Sequence, residues 1–245
     1  MHPAATVLCT SGLAAEARIA RRAGFSVVLG AGDPARTESL VETAAPRADC
    51  LISFGVAGAL SPRLRPGDVV VSGEVLGEDE RWQGDGPFRR RLIAAARALG
   101  ASEGPVFGAD RILATPDQKA QAWRRTGALV VDMESAIVAR IAAGLGIPFL
   151  VLRAVADPAE RELPPAALIP LSANGMPDIG RVMAEIVARP WQIGGLMGLA
   201  LETRRGLNAL VGPARALGDL LAGPQPGHRF FDMPGEHVFG RSLAS

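Results

Sequence analysis

Short apolar runs rich in β-branched residues recur along the chain, at 6–9 (TVLC), 25–29 (FSVVL), 50–54 (CLISF), 68–75 (DVVVSGEV), 128–131 (ALVV) and 148–155 (PFLVLRAV), with longer stretches of helical period between them. Runs of this length without polar alternation predict strands covered on both faces, and that covering needs helices on each side of one sheet. The expectation is an α/β layer fold whose ligands gather at the carboxyl ends of the strands. The clearest helix opening is TPDQ at 115–118, where Thr115 caps, Pro116 takes the first helical position and Gln118 completes a capping box.

A length of 245 residues with 48% hydrophobic and 21% charged residues is enough for one sizeable soluble domain, or a domain with an appendage. The net charge is +1, and Lys119 is the only lysine, so the positive charges are almost all arginines scattered among acids. That excludes the basic footprint of a nucleic-acid binder, and the arginines at 89–91 read as a solvated helix face. Cys9 and Cys50 stand alone beside apolar runs, without metal or disulfide spacing, and read as buried thiols in a reducing cytoplasm. The first residues show no leader pattern, and no run approaches the ~20 apolar residues of a membrane span, so a cytoplasmic protein, soluble or peripheral to the inner membrane, is expected.

Composition changes at Pro190, which divides a catalytic unit at 1–190 from a C-terminal extension at 191–245. Residues 191–223 are helical in period but rich in glycine, and 224–245 read as an irregular tail. For 191–201 two readings stand. It packs as a terminal helix on the domain or a partner subunit, or Trp191 and its apolar neighbours, followed by Arg204 and Arg205, lie in a membrane interface.

Two carboxylates stand where a core would not call for them. Glu134 follows the run at 128–131 at a helix entrance, where it complements the helix dipole or serves a site. Asp157 follows the run at 148–155, where a buried strand emerges into a ligand crevice, and Pro158 fits a tight turn there. VVDMES at 130–135 followed by RAVAD at 153–157, with SFGVAGALSPRLRPGDVVVSGEV at 53–75 ahead of both, resembles the nucleoside phosphorylase and nucleosidase superfamily over about the first 190 residues. TSGLAAEARIA near the N-terminus, GADRIL at 108–113 and RPWQ at 189–192 are most similar to its hopanoid-associated phosphorylase branch.

The resemblance implies a three-layer α/β fold with a central mixed sheet flanked by helices, and cleavage of a purine N-glycosidic bond. It implies that Glu134 takes the ribose hydroxyls while its charge stabilises the oxocarbenium character, with Met133 packing on the sugar. Asp157 would protonate purine N7, which requires a desolvated site that raises its pKa. Val56, Ala57 and Gly58 fall in the ribose loop, and Phe107 and Ile112 flank the base. Arg111 stands where nucleosidases of this type carry a stacking aromatic, so stacking would fall to a guanidinium plane or to Phe107.

The nucleophile is left open between two signals. Glu16 occupies, by similarity, the place of a water-activating glutamate, and Arg153 that of its orienting arginine, which implies hydrolysis of methylthioadenosine or S-adenosylhomocysteine. Ser11 and Gly12 in TSGL open a helix whose hydroxyls and N–H groups suit a phosphate, which implies phosphorolysis. The branch resemblance selects phosphorolysis of adenosylhopane in hopanoid side-chain biosynthesis, with phosphate as co-substrate, no cofactor and no metal. The expected partner is a small-molecule or lipid-linked purine nucleoside, in a homodimer or larger homo-oligomer. Two rival classes remain. GAGDPA at 30–35 with Asp49 matches a dinucleotide fingerprint displaced to the second strand, as an NAD-dependent oxidoreductase would carry, and a non-catalytic nucleoside or lipid binder is the other.

Overall fold

The computed structural model describes residues 6–84 and 86–222, so the irregular tail expected at 224–245 lies outside the described residues. The strands are β1 (Val7–Ser11), β2 (Ser26–Leu29), β3 (Cys50–Ala59), β4 (Val69–Ser72), β5 (Glu74–Leu76), β6 (Arg81–Gln83), β7 (Ser102–Glu103), β8 (Val106–Gly108), β9 (Val130–Asp132) and β10 (Phe149–Asp157). The helices are α1 (Ala14–Arg22), α2 (Pro34–Ala44), α3 (Pro87–Ala98), α4 (Pro116–Thr126), α5 (Ser135–Leu145), α6 (Ile179–Ala188) and α7 (Ile193–Ala222). Each apolar run identified in the sequence contains a strand, and the TPDQ box caps α4 as its residue types require.

All strands join one mixed sheet, ordered β6-β5-β8-β9-β3-β10-β4-β7, with β1 and then β2 attached beside β3. The long strand β3 makes this possible. Its first half pairs in parallel with β1, while its end, Gly58 and Ala59, pairs antiparallel with β9. The sheet therefore divides along one edge of β3, and β10 runs parallel along the other.

Period-two alternation assigns the core. Ile52 and Phe54 of β3 and Leu150, Leu152 and Ala154 of β10 face one side, against α1, α3 and α7. Leu51 of β3 with Phe149, Val151 and Val155 of β10 faces the other, against α2 and α5. Every residue of β10 is buried, as a strand between two helical layers must be. Cys9 and Cys50 are free and buried in the first of these clusters, where burial pushes the Cys9 thiol up to about 12.

The change at Pro190 is no break in the core. Leu210, Leu217 and Leu221 of α7 are buried in the same cluster as β3 and β10. A helix read as an extension thus supplies one wall of the domain, because its apolar stripe lies on the sheet while Trp191, Met197 and Leu201 stay exposed. No helix among the described residues is long and apolar enough to cross a membrane. Leu217→Ala should cost about 2–5 kcal/mol of stability by chemical denaturation, the range for a Leu emptied from a closed core; a cost under ~1 kcal/mol would mean that α7 is peripheral.

Candidate active site

The buried Arg153 guanidinium organises the carboxyl end of the sheet. It stands in mid-β10, and its register neighbour on β3 is Gly55. A Cβ at Gly55 would lie 2.5 Å from the Glu16 carboxyl carbon and 2.7 Å from Arg153 Nη1, so only a glycine leaves room for both groups. Arg153 Nε lies 2.8 Å from Asp132 Oδ2, and Nη2 donates to Glu134 Oε2 at 3.1 Å and to Ser53 Oγ at 2.6 Å. Burial opposes the charge of Arg153, but Asp132, Glu134 and Glu16 together outweigh it and hold the group cationic.

Asp132 ends β9 and caps the entrance of α5, its Oδ1 accepting the N–H groups of Glu134 at 3.0 Å and Ser135 at 2.7 Å. Because Asp132 meets the orphan donors, Glu134 has no capping duty and its carboxylate reaches the cavity wall. A Cβ on Gly12 would sit 2.8 Å from Glu134 Oε1, so this carboxylate lies directly against the turn that opens α1. Burial raises the Glu134 pKa against the pull of Arg153.

That same turn holds Glu16. Its Oε2 accepts the N–H groups of Gly12 at 2.9 Å and Leu13 at 2.8 Å, and its Oε1 accepts that of Val56 at 2.8 Å. Burial nevertheless raises its pKa to about 7, the nearby Arg153 charge and the N–H donors opposing.

Asp157 closes β10 after an irregularity that shifts the register, so that Val155 pairs with Ala57 but Asp157 with Gly58. The bulge aims the carboxylate at the cavity. Its Oδ2 lies 2.6 Å from Lys119 Nζ, while its buried Oδ1 has no hydrogen-bond partner among the described residues. Burial raises its pKa, and Lys119 opposes this. The cavity, about 280 Å³, is lined by Glu16, Glu134, Arg153 and Asp157 at its polar end and by Leu163, Ala167, Leu171 and Leu199 elsewhere. A pocket with a few convergent polar groups, perturbed carboxyls and otherwise apolar walls is the form of a small-molecule site.

A model of the phosphorylase superfamily matches residues 27–188. The chain belongs to that superfamily. It is 30% identical over 149 residues to the 5′-methylthioadenosine/S-adenosylhomocysteine nucleosidase of Shewanella halifaxensis, covering 52% of this chain and 64% of the relative. It is 31% identical over 150 residues to the nucleosidase of that name from Pseudoalteromonas translucida, covering 52% and 63%. The chain thus spans less than two thirds of the length of these curated relatives. Its fold matches the crystal structure of such a nucleosidase from Neisseria meningitidis bound to methylthio-immucillin-A, with a TM-score of 0.60 at 19% identity over 86% of this chain and 98% of the other. It also matches futalosine hydrolase of Helicobacter pylori, with a TM-score of 0.58 at 15% identity over 85% and 96%.

In this phosphorylase-superfamily chain Gly12, Glu16, Val56, Ala57, Gly58, Ile112, Met133, Glu134, Arg153 and Asp157 all line the one cavity. Two residues expected with them do not. Phe107 is buried in the cluster under α4, with the Arg125 guanidinium 5.2 Å from its ring centre, and is unavailable for stacking on a base. Arg111, Ile112 and Leu113 line the cavity instead. The Ser11 hydroxyl is fully enclosed at the end of β1, away from the cavity wall. The displaced glycine motif joins the edge strand β2 to α2, whose first turn is capped by its own Asp33, while the Asp49 carboxylate accepts the Thr6 N–H; neither is placed for a dinucleotide. Sequence reasoning missed Asp132 and Lys119 as site residues. For Lys119 the signal was its being the one lysine among 26 basic residues.

A folded-state pKa of about 7 against an ordinary 4.5 means that Glu16 keeps a proton in the folded chain which the unfolded chain has released. Its contribution is fully present below pH 4.5 and is lost as pH rises to about 7. Glu16→Gln should therefore flatten the fall in stability across that window by up to ~1.4 kcal/mol per pH unit in urea titrations. An unchanged slope would mean that the three N–H donors keep Glu16 ionised throughout.

Proposed function

We propose that this protein hydrolyses the N-glycosidic bond of a 5′-substituted purine nucleoside. The observation that carries hydrolysis over phosphorolysis is the Glu16 carboxylate itself, which fills the N–H groups of Gly12 and Leu13 that TSGL offered to a phosphate. The Glu16 carboxyl already takes the donors an anion would need, and the Ser11 hydroxyl is enclosed behind it. The similarity to proteins named nucleosidases supports the same choice.

The groups divide the work. Glu16 accepts a proton from water as its oxygen adds to the anomeric carbon, with the carboxylate held by three backbone donors on the cavity wall. Glu134 takes the ribose hydroxyls, fixed by Arg153, and its negative charge offsets the positive charge that develops on the sugar. Met133 packs on the ribose. As the bond breaks, its electron pair leaves with the base, and Asp157, whose pKa burial raises, gives its proton to N7. One proton is taken from water and one is delivered to the base, so the step balances. Arg153 keeps three neighbouring acids from repelling one another and orients two of them.

The leucine walls at 163, 171 and 199 support an apolar 5′ substituent. One feature favours a lipid-linked nucleoside such as adenosylhopane within that class, at a membrane surface. The helix α7 that lends Leu199 to the cavity presents Ile193, Met197 and Leu201 to solvent, next to exposed Trp191.

Base release followed by chromatography should be independent of phosphate and yield a free ribose derivative. Glu16→Gln and Asp157→Asn should each lower kcat by ~10²–10⁴-fold. The wild-type pH–rate profile should be a bell with one limb set by ionisation of Glu16, near 7, and the other by loss of the Asp157 proton. Saturable dependence on phosphate with formation of a ribose 1-phosphate derivative would establish phosphorolysis instead. Each CH₂ buried at the 5′ end should raise kcat/KM about fourfold, the equivalent of ~0.8 kcal/mol; indifference to the 5′ group would remove the apolar-substituent reading.

A further inference from the structure

Lys119 is the only lysine in the sequence, and its side chain is completely buried in α4. Its three ammonium hydrogens have three acceptors: Asp157 Oδ2 at 2.6 Å, the Pro158 carbonyl at 3.0 Å and the Arg161 carbonyl at 2.9 Å. A buried ammonium is costly unless paired and fully hydrogen-bonded, and here it is both. The acceptors are the carboxylate and the turn that follows it, so one side chain from another element fixes both the rotamer of Asp157 and the path of 158–161. Every other basic residue of the chain is an arginine, whose planar fork would not fit three acceptors converging on one nitrogen.

We propose that Lys119 is the positioning residue for Asp157, fixing its carboxyl group at the cavity wall through Oδ2 and stabilising the carboxylate left when the proton has gone to the base. This rests on the hydrolytic reading above. The proton leaves the Asp157 carboxyl for N7, and Lys119 keeps all its protons while its charge compensates the new carboxylate across 2.6 Å. The geometry fits that role, since Lys119 engages Oδ2, while the buried Oδ1 has no hydrogen-bond partner among the described residues and leaves Lys119 as the contact that sets the carboxyl rotamer. The other charges facing Asp157 are Arg161 and Glu202, which pair with each other through both oxygens of the glutamate, so Lys119 is the cation in direct contact.

The test uses two substrates, a purine nucleoside and 4-nitrophenyl riboside, whose leaving group departs without being protonated. Lys119→Gln keeps two donors and removes the charge; Lys119→Met keeps the length of the stem and removes both. In either variant kcat on the purine nucleoside should fall about 10- to 100-fold, part of the ~10²–10⁴ that general acid catalysis carries, with KM little changed. Turnover of the nitrophenyl riboside should stay within about twofold of wild type. The alkaline limb of the purine profile should move to higher pH, because the cation that favours the ionised acid is gone. Equal slowing on both substrates, or an unmoved limb, would show that Lys119 only staples the loop. Wild-type protein labelled with ¹³C at lysine Cε gives one signal, which should shift as Asp157 titrates and lose that inflection in Asp157→Asn; a signal blind to Asp157 overturns the proposal even if neither variant folds. Failure of wild type to release base from any purine nucleoside would instead reject the hydrolytic reading.

Discussion

The candidate site depends on the arrangement of three acids around one buried guanidinium. Moving ions out of water costs several kcal/mol each even after relaxation, so Arg153 and its partners are tolerable only as a set. Asp132 and Glu134 engage its nitrogens directly, and Glu16 lies across the space left by the missing side chain of Gly55. Two of the acids also have a backbone role: Asp132 caps α5, and Glu16 closes the turn into α1. The charges are therefore fixed by the same bonds that begin the two helices, and the polar end of the cavity is pre-organised before any substrate enters.

The sheet delivers these parts to one place because β3 has different partners along its two halves. Pairing with β1 brings the Glu16 turn to it, pairing with β9 brings Asp132 and Glu134, and β10 along the other edge brings Arg153 and, after its bulge, Asp157. A straight continuation of β10 would set Asp157 opposite Ala59, in phase with Arg153 and Val155; the irregularity sets it opposite Gly58 instead. The two ends of the proposed reaction, water activation and base departure, would thus be built from strands that are neighbours in space and remote in sequence. The apolar walls come from the segment at 163–171 and from α7.

Much of this was legible in the chain. The apolar runs marked the strands other than β6, β7 and β8 because a layered sheet buries both faces of its central strands, and TPDQ marked the start of α4 because its residues satisfy orphan donors locally. Glu134 and Asp157 stood out as carboxylates in apolar surroundings, and their spacing with Arg153 carried the superfamily resemblance. Phe107 misled because an aromatic near the expected base position says nothing about which face of its strand it occupies, and Val106–Gly108 turns it into the core. For the helix after Pro190 the sequence left packing on the domain and a membrane interface both open, and only the sheet shows that Leu210, Leu217 and Leu221 pack in the core.

The sequence by itself determined where most of the strands and the cap of α4 lie, and which acids stand beside apolar runs, since these follow from local pattern and residue chemistry. Tertiary structure alone decided what each acid touches. The donors of TSGL were open to phosphate on paper, but in the fold they are taken by Glu16, three and four residues on. Lys119 was one charge in a composition until the return of β10 placed Asp157 against it, thirty-eight positions away in the chain. Periodicity constrains neighbours along a helix or strand, whereas a buried ion pair is selected by which elements meet, and that meeting depends on the whole sheet.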